Sequence, residues 1–260
     1  MKVTFDNQIE VFYRVKGDDK GSPIIFIHGL AGDSRFFNNQ LNYFGEYNKT
    51  IAIDLPGHGR SPYITEQSID LYNRSIEAVV KNENIDSYIL AGHSMGGAVS
   101  IENYLKNRDM VKGLILISTS YNFHITKKLI DASIDDFDNL FSKIFPKIFH
   151  KKSGIFMLAA QKNLNENHKR IISGDLILCS ELNYNEQLES INIPVLLIAN
   201  RFDRMVPVYL TEEMNWKIKN SKLVIFDDEG HVPFFENSDE FNAAVDEFIQ
   251  SIQWREHSPL

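Results

Sequence analysis

The sequence is poor in the features that define several classes of protein. It has one cysteine, Cys179, among 260 residues, which excludes an internal disulfide and a cysteine-rich metal site. No apolar run approaches the roughly 20 residues of a membrane span, and the first residues lack the apolar core of a signal peptide. The 27 basic residues are outnumbered by 35 acidic ones, which argues against non-specific binding to nucleic acid. We therefore expect a cytoplasmic protein without a membrane span or a nucleic-acid partner.

Short apolar runs recur along the chain and end at polar or small residues. Six of them are apolar on consecutive residues: 23–27, 50–53, 88–90, 113–117, 194–198 and 223–226. Such runs are typical of strands that are buried on both faces. Helical patterns lie between them, most clearly over 72–81, 98–107 and 240–252. The alternation predicts an α/β fold with a mostly parallel sheet flanked by helices, preceded by two antiparallel strands over 3–5 and 9–15.

One segment interrupts the alternation. Residues 120–188 show no convincing strand but carry helical patterns rich in phenylalanine, at Phe123, Phe137, Phe141, Phe145, Phe149 and Phe156. Structureless loops of this length are rare. The sequence therefore predicts a core domain over 1–119 and 189–260, with a helical cap over 120–188 inserted in it.

A serine lies in a glycine-rich stretch between an apolar run and a helical pattern. Ser94 is flanked by Gly92 and Gly96 in the sequence AGHSMGGAV. A strand that turns at once into a helix strains the turn residue and exposes its side chain at the helix N-terminus. This context favours a nucleophile over a helix-capping serine, which is the alternative.

A serine nucleophile needs a base and an acid that orients it. His231 follows the last apolar run, and Asp203 follows the run before it. Asp227 and Asp228 are rival acids because they lie closer to the histidine in sequence. We expect His93 to pack away from the nucleophile, and His124, His150, His168 and His257 to lie on the surface.

Two backbone N–H groups are candidates for an oxyanion hole. The Met95 N–H lies at the start of the helix that follows Ser94, where the helix dipole is positive. The Leu30 N–H lies in the glycine-rich stretch HGLAG after the run 23–27. The alternative for this stretch is an ordinary strand-to-helix turn.

These motifs together resemble the α/β-hydrolase superfamily. The matching segments are HGLAG from His28, DLPGHGRS from Asp54, GHSMGG from Gly92, Asp203 with Val206 and Pro207, and Gly230 with His231. The resemblance implies the triad Ser94, Asp203 and His231, with Leu30 and Met95 as oxyanion hole and a cap over the substrate. It also implies acyl transfer from an ester to water, without metal or organic cofactor. The segment 54–61 is interpreted as a structural turn.

The sequence indicates the type of reaction more specifically than it indicates the substrate. A phenylalanine-rich cap favours an apolar acyl or alcohol group, with Leu30, Phe123, Phe141 and Phe145 as candidate contacts, although these rings could equally form the core of the cap. Lys143, Lys147 and Lys151 are spaced to share a helix face, interrupted by Pro146, and could dock an acyl carrier protein; a solvated face is the alternative. In size and motifs the chain is similar to esterases that cleave pimeloyl-carrier methyl esters. Other functions also remain open: a lactonase, a monoacylglycerol lipase, a lyase of the menaquinone-pathway type, and a slow receptor or scaffold.

Overall fold

The computed structural model describes residues 1–6, 8–18, 21–151 and 164–252. Eight strands of this part of the chain form one sheet in the order β1-β2-β4-β3-β5-β6-β7-β8. They are β1 (Lys2–Phe5), β2 (Ile9–Lys16), β3 (Ile24–Ile27), β4 (Thr50–Ile53), β5 (Tyr88–His93), β6 (Val111–Ile117), β7 (Val195–Asn200) and β8 (Ser221–Phe226). β2 runs antiparallel to β1 and β4, and all other neighbours are parallel. The predicted α/β fold with an antiparallel start is confirmed.

The sheet is buried on both faces, as the continuous apolar runs predict. Along β3, Ile25 and Ile27 enter one apolar cluster, whereas Ile24 and Phe26 enter the cluster on the opposite face. Successive strand residues point to opposite faces. A strand whose residues are all apolar therefore contributes side chains to the apolar clusters on both faces of the sheet.

Helices cover the sheet and carry the connections between its strands. They are α1 (Asn38–Phe44), α2 (Ile69–Asn82), α3 (Met95–Lys106), α4 (Lys127–Asp135), α5 (Phe137–Ile144), α6 (Glu166–Glu181), α7 (Val208–Lys217), α8 (Pro233–Glu236) and α9 (Ser238–Ser251). α2 and α9 begin two or three residues before their periodic patterns. Ser68 and Asn237 explain these starts, because their side chains accept hydrogen bonds from first-turn N–H groups.

Helices α4, α5 and α6 lie between β6 and β7, in the segment that we call the insertion (residues 120–188). Its two ends lie side by side: Asn122 and Asn183 form an isolated antiparallel bridge, and the Tyr184 N–H donates to the Tyr121 carbonyl at 2.9 Å. Phe156 lies outside the described residues. Within the described ranges, none of the helices has the length and apolarity needed to cross a membrane.

A buried polar network joins the insertion to the core. The Asp175 carboxylate, on α6, accepts from His58 Nε2 at 2.9 Å and from the Tyr72 hydroxyl at 2.5 Å. His58 Nδ1 lies 3.2 Å from the Pro56 carbonyl. Both ring nitrogens thus face acceptors, an arrangement that suits the imidazolium form, in which both donate.

The charges of this network shift the pKa values of two histidines in opposite directions. Burial alone would lower the pKa of His58, but attraction to Asp175 outweighs it and raises that pKa above its usual value. The neighbouring His28 ring, 4.8 Å away, shows the opposite effect. Burial, together with the positive charge of His58, lowers the pKa of His28 to about 4. We infer that His58 is the charged member of the pair.

The raised pKa of His58 makes the stability of the fold depend on pH. Because the unfolded pKa is about 6.5, the stabilising contribution is fully present below that pH and is lost as pH rises through the higher folded pKa. Urea unfolding between pH 6.5 and 9 should show a free energy of unfolding that falls with pH. Asp175→Asn should lower it by roughly 3–5 kcal/mol at pH 6 and flatten the slope. An equal slope in both proteins contradicts the charge assigned to His58.

Candidate active site

Ser94 occupies the turn that joins strand β5 to helix α3. Its backbone lies at φ 53° and ψ −121°, in the left-handed region that non-glycine residues adopt at an energetic cost. The strand ends at His93 and the helix begins at Met95, so that the reversal takes a single residue. The side chain therefore stands at the edge of the sheet, beside the N-terminus of α3.

Two glycines make this turn sterically possible. A Cβ atom on Gly96 would lie 2.3 Å from the Ile27 carbonyl oxygen, and one on Gly92 would lie 2.2 Å from the Gly96 carbonyl oxygen. Both distances are far shorter than any van der Waals contact. The Gly-x-Ser-x-Gly spacing is thus required for α3 to pack directly against β3 and β5.

The end of strand β6 fixes the serine turn from the other side. The Ser94 N–H donates to the Ile117 carbonyl at 2.9 Å, and the Thr119 hydroxyl donates to the Ser94 carbonyl at 2.7 Å. No local sequence pattern indicates Thr119, because only the pairing of β5 with β6 brings it to the turn. Thr119 thereby restrains the backbone that carries the candidate nucleophile.

The Leu30 N–H lies on the loop that follows β3, and the Met95 N–H is the first of helix α3. The Leu30 loop closely approaches the turn, since a Cβ on Gly29 would lie 2.9 Å from the Ser94 Cβ. Within the described residues, neither N–H donates to a protein acceptor. Both therefore remain free to donate to another acceptor, and Met95 does so from the positive end of α3.

His231 and Asp203 are joined by a buried hydrogen bond. His231 Nδ1 lies 2.8 Å from Asp203 Oδ2, and the two side chains are 7% and 1% exposed. Because a carboxylate only accepts, Nδ1 carries the proton and Nε2 is left as an acceptor. Asp203 Oδ1 accepts from the N–H groups of Met205 and Val206, at 2.7 and 2.9 Å, which hold the carboxylate in place.

The rival acids lie elsewhere. The Asp227 side chain is 79% exposed and pairs with Arg201 at 2.5 Å. Asp228 is 57% exposed and pairs with Lys151. The structure therefore places Asp203, rather than either neighbour in sequence, against the histidine.

The buried His93 side chain packs against His231. Its Nε2 lies 2.8 Å from the His231 carbonyl oxygen, and the two rings are 4.7 Å apart. Burial, and then repulsion from His231, lowers the pKa of His93 well below its usual value, so that its ring is neutral. His93 directly precedes Ser94, and this contact therefore brings the His231 loop to the serine turn.

A cavity of about 480 Å³ lies between the core and the insertion. Ala31, Gly32 and Val232 line it, and these residues directly follow Leu30 and His231 in the chain. Six phenylalanines contribute to its walls: Phe36, Phe141, Phe145, Phe149, Phe234 and Phe235. The cavity therefore adjoins the candidate oxyanion loop and histidine loop, and its lining is largely apolar.

Of the four predicted substrate contacts, Phe141 and Phe145 line this cavity, whereas Leu30 and Phe123 are not among its described lining residues. Phe123 packs instead against the larger apolar core, near the base of the insertion. Only composition relates Phe123 to the other phenylalanines of the insertion. Phe141 and Phe145 are four residues apart and stack with their centroids at 4.7 Å.

The three predicted docking lysines do not share one helix. α5 ends at Ile144, and Pro146 lies in a single 3₁₀ turn over Phe145–Lys147. Lys143 and Lys147 are exposed, but Lys151 pairs with Asp228. His150 and His168, which we expect on the surface, are only partly exposed. His150 stacks on Phe202 with ring centroids at 3.9 Å, and His168 lines the cavity, while His124 is exposed and His257 lies outside the described residues.

Comparisons with known proteins agree with this architecture. Residues 24–244 match the model of the alpha/beta hydrolase family. The AB hydrolase superfamily protein YisY of Bacillus subtilis (strain 168) is 30% identical over 250 residues, which cover 89% of this chain and 92% of that protein. The pimeloyl-(acyl-carrier protein) methyl ester esterase of Legionella pneumophila (strain Corby) is 25% identical over 237 residues, covering 89% and 96%.

Among solved structures, the esterase of Exiguobacterium antarcticum superimposes with a TM-score of 0.86 at 20% identity, over 96% of this chain and 99% of that one. This likeness shows the fold. The family model matches most of the chain, and this match establishes that the protein belongs to the alpha/beta hydrolase family.

Proposed function

We propose that this chain is a serine hydrolase of carboxylic esters, with Ser94 as nucleophile, His231 as base and Asp203 as the acid that orients it. The observation that carries the proposal is the 2.8 Å hydrogen bond between His231 and Asp203, next to the strained turn of Ser94. This bond leaves Nε2 of the imidazole as a proton acceptor. The contact of His93 with His231 keeps that imidazole beside the serine turn.

In the first half of the reaction, the Ser94 oxygen attacks the ester carbonyl carbon while His231 Nε2 takes the hydroxyl proton. The carbonyl oxygen becomes an oxyanion, which the N–H groups of Leu30 and Met95 stabilise. The C–O bond to the alcohol then breaks, and the imidazolium returns its proton to the departing alcohol. Asp203 stabilises the imidazolium throughout but does not itself take the proton.

In the second half, water replaces the alcohol. The water oxygen attacks the acyl-enzyme carbonyl carbon while His231 takes a proton from that water. A second oxyanion then forms at the same two N–H groups. Collapse breaks the bond to Ser94, and the proton on the imidazole returns to the serine oxygen. The carboxylic acid leaves, and the enzyme is restored.

The aromatic cavity supports a substrate with an apolar group. Its volume, about 480 Å³, lies within the range of small-molecule sites. Phe141, Phe145 and Phe149 of the insertion line it together with Phe234 of the core. We infer that the insertion acts as a cap and that the acyl or alcohol chain of the ester lies between these rings.

A second candidate is a methyl ester attached to a carrier protein. The Legionella relative bears the name pimeloyl-(acyl-carrier protein) methyl ester esterase, and Lys143 and Lys147 are exposed on the insertion. Acyl carrier proteins are acidic, so these lysines would attract one. Because Lys151 pairs with Asp228, it contributes less to such a surface.

Ser94→Ala should reduce the hydrolysis of p-nitrophenyl esters by about 10⁴-fold or more, because the nucleophile is lost. A fluorophosphonate probe should label the wild-type protein at Ser94 and leave the variant unlabelled. Ser180→Ala, which removes an exposed hydroxyl on α6, should change neither result. Wild-type turnover in Ser94→Ala rules out the proposal.

Two aspartates provide a matched control for the assignment of the acid. Asp203→Asn should reduce kcat by about 10⁴-fold, since the amide no longer holds the productive tautomer of His231. Asp227→Asn alters an exposed ion pair on the adjacent loop and should leave kcat within about twofold of wild type. The reverse pattern would transfer the acid role to Asp227.

Phe141→Ala should change chain-length preference. Removing this wall of the cavity should lower kcat/KM for a hexanoate ester by about tenfold, through about 1.5 kcal/mol of lost apolar contact, and leave an acetate ester nearly unchanged. Trp216→Ala removes an aromatic ring that is 84% exposed and is not part of the cavity lining, and it serves as the control. A parallel loss on both esters would show that the cavity does not hold the acyl chain.

If a carrier protein docks on these lysines, the enzyme should prefer the carrier-linked ester, and added salt should weaken this preference. A methyl ester on an acyl carrier protein should be cleaved faster than the free methyl ester at low ionic strength, and added salt or the double variant Lys143→Ala/Lys147→Ala should reduce the advantage. The free ester provides the internal control for changes at the active site. Equal rates at all salt concentrations argue for a free ester as substrate.

A further inference from the structure

Four residues of the insertion cross over the loop that carries His231. We call them the strap (residues Ile148–Lys151). The His231 N–H donates to the Ile148 carbonyl at 2.7 Å. The backbone of the candidate base is therefore bonded directly to the insertion.

Glu236, the last residue of helix α8, fastens the strap to the same loop. Its Oε1 accepts from the Gly230 N–H at 3.0 Å, and its Oε2 accepts from the N–H groups of His150 and Lys151 at 3.0 and 3.1 Å. The residue is 6% exposed. One buried carboxylate thus satisfies three backbone donors, one on the histidine loop and two on the strap.

The contact between strap and loop is as close as the backbone allows. A Cβ atom on Gly230 would lie 2.7 Å from the His150 nitrogen and 2.8 Å from the Ile148 carbonyl oxygen. The His150 ring also stacks on Phe202, which precedes the candidate acid Asp203. The strap therefore contacts the loops of both the base and the acid.

The strap also reaches the substrate cavity. Phe149 lines the cavity, between Ile148 and His150 in the chain. The backbone on either side of Phe149 is hydrogen-bonded to the histidine loop and its anchor, since the Ile148 carbonyl accepts from the His231 N–H and the His150 N–H donates to Glu236. The strap therefore connects a residue that lines the cavity, Phe149, to the loop that carries His231.

We propose that Glu236 is a positioning residue: by binding the strap to the histidine loop, it sets the alignment of His231 toward Ser94. The proposal rests on the proposed function, since it requires His231 to act as the base. A carboxylate suits the role because it only accepts and offers two oxygens to three donors. An amide of the same size would turn an NH₂ group toward one of these N–H groups.

Glu236→Gln tests the proposal. A small displacement of a catalytic group from a remote substitution can cost about 10²-fold in rate, so kcat on a p-nitrophenyl ester should fall between tenfold and a hundredfold, with KM within about twofold. The far-downfield proton resonance of the His231–Asp203 hydrogen bond, assigned by its loss in Asp203→Asn, should shift or broaden. Circular dichroism and a melting curve report on folding at the assay temperature.

Asp228→Asn is the matched control. Asp228 also joins the histidine loop to the strap, through Lys151 and through His150 at 3.4 Å, but it does so as an exposed carboxylate. Exposed pairs contribute little. This variant should keep kcat within twofold and leave the downfield resonance unchanged.

Gly230→Ala provides a second route to the same displacement. The added methyl group would lie 2.8 Å from both the Ile148 carbonyl oxygen and Glu236 Oε1, so it pushes the strap and the carboxylate away from the loop, and it should give the same selective loss of kcat. If either variant is folded and retains the wild-type kcat and resonance, the proposal is overturned. A lower melting temperature alone, with kcat intact, shows a purely structural role and overturns it too. Failure of the proposed function is separate, because it appears as wild-type ester turnover that persists in Ser94→Ala.

Discussion

The close packing of helix α3 against the parallel sheet is the constraint on which the site depends. The contact leaves no room for a Cβ at Gly96, whose position lies 2.3 Å from a carbonyl oxygen at the end of β3. The chain must therefore reverse within one residue, and Ser94 takes the strained φ of 53°. The same packing brings the first N–H of α3 to the serine, where the partial positive charge of the helix N-terminus is greatest.

The direction of the strands then gathers the remaining groups. Strands β3 and β5 to β8 are parallel, so that their carboxyl ends meet at one edge of the sheet. The loops after β5, β7 and β8 carry Ser94, Asp203 and His231 to that edge. His93 completes the arrangement as a neutral donor beneath His231, and its burial, which lowers its pKa, keeps it neutral.

Two buried carboxylates hold the insertion on the core, by different physical means. Asp175 pairs with the imidazolium of His58, so this tie is a charge interaction that weakens when the histidine loses its proton. Glu236 accepts from three backbone N–H groups and forms no ion pair with any residue that the structure describes, so this attachment depends on hydrogen-bond geometry. The cavity lies between the two attachments. The insertion is thus fixed to the core on both sides of the space in which we propose that the substrate binds.

Local sequence patterns suffice to predict the alternation of strands and helices, the two-sided burial of the sheet and the serine turn, because each follows from side-chain size and periodicity within a few residues. Tertiary structure decided the contacts between distant segments. It placed Asp203 rather than Asp227 against His231, removed Phe123 from the cavity lining and paired Lys151 with Asp228. Each of these contacts joins residues that no local pattern relates. They become neighbours only through the order of the strands and the path of the insertion across their ends.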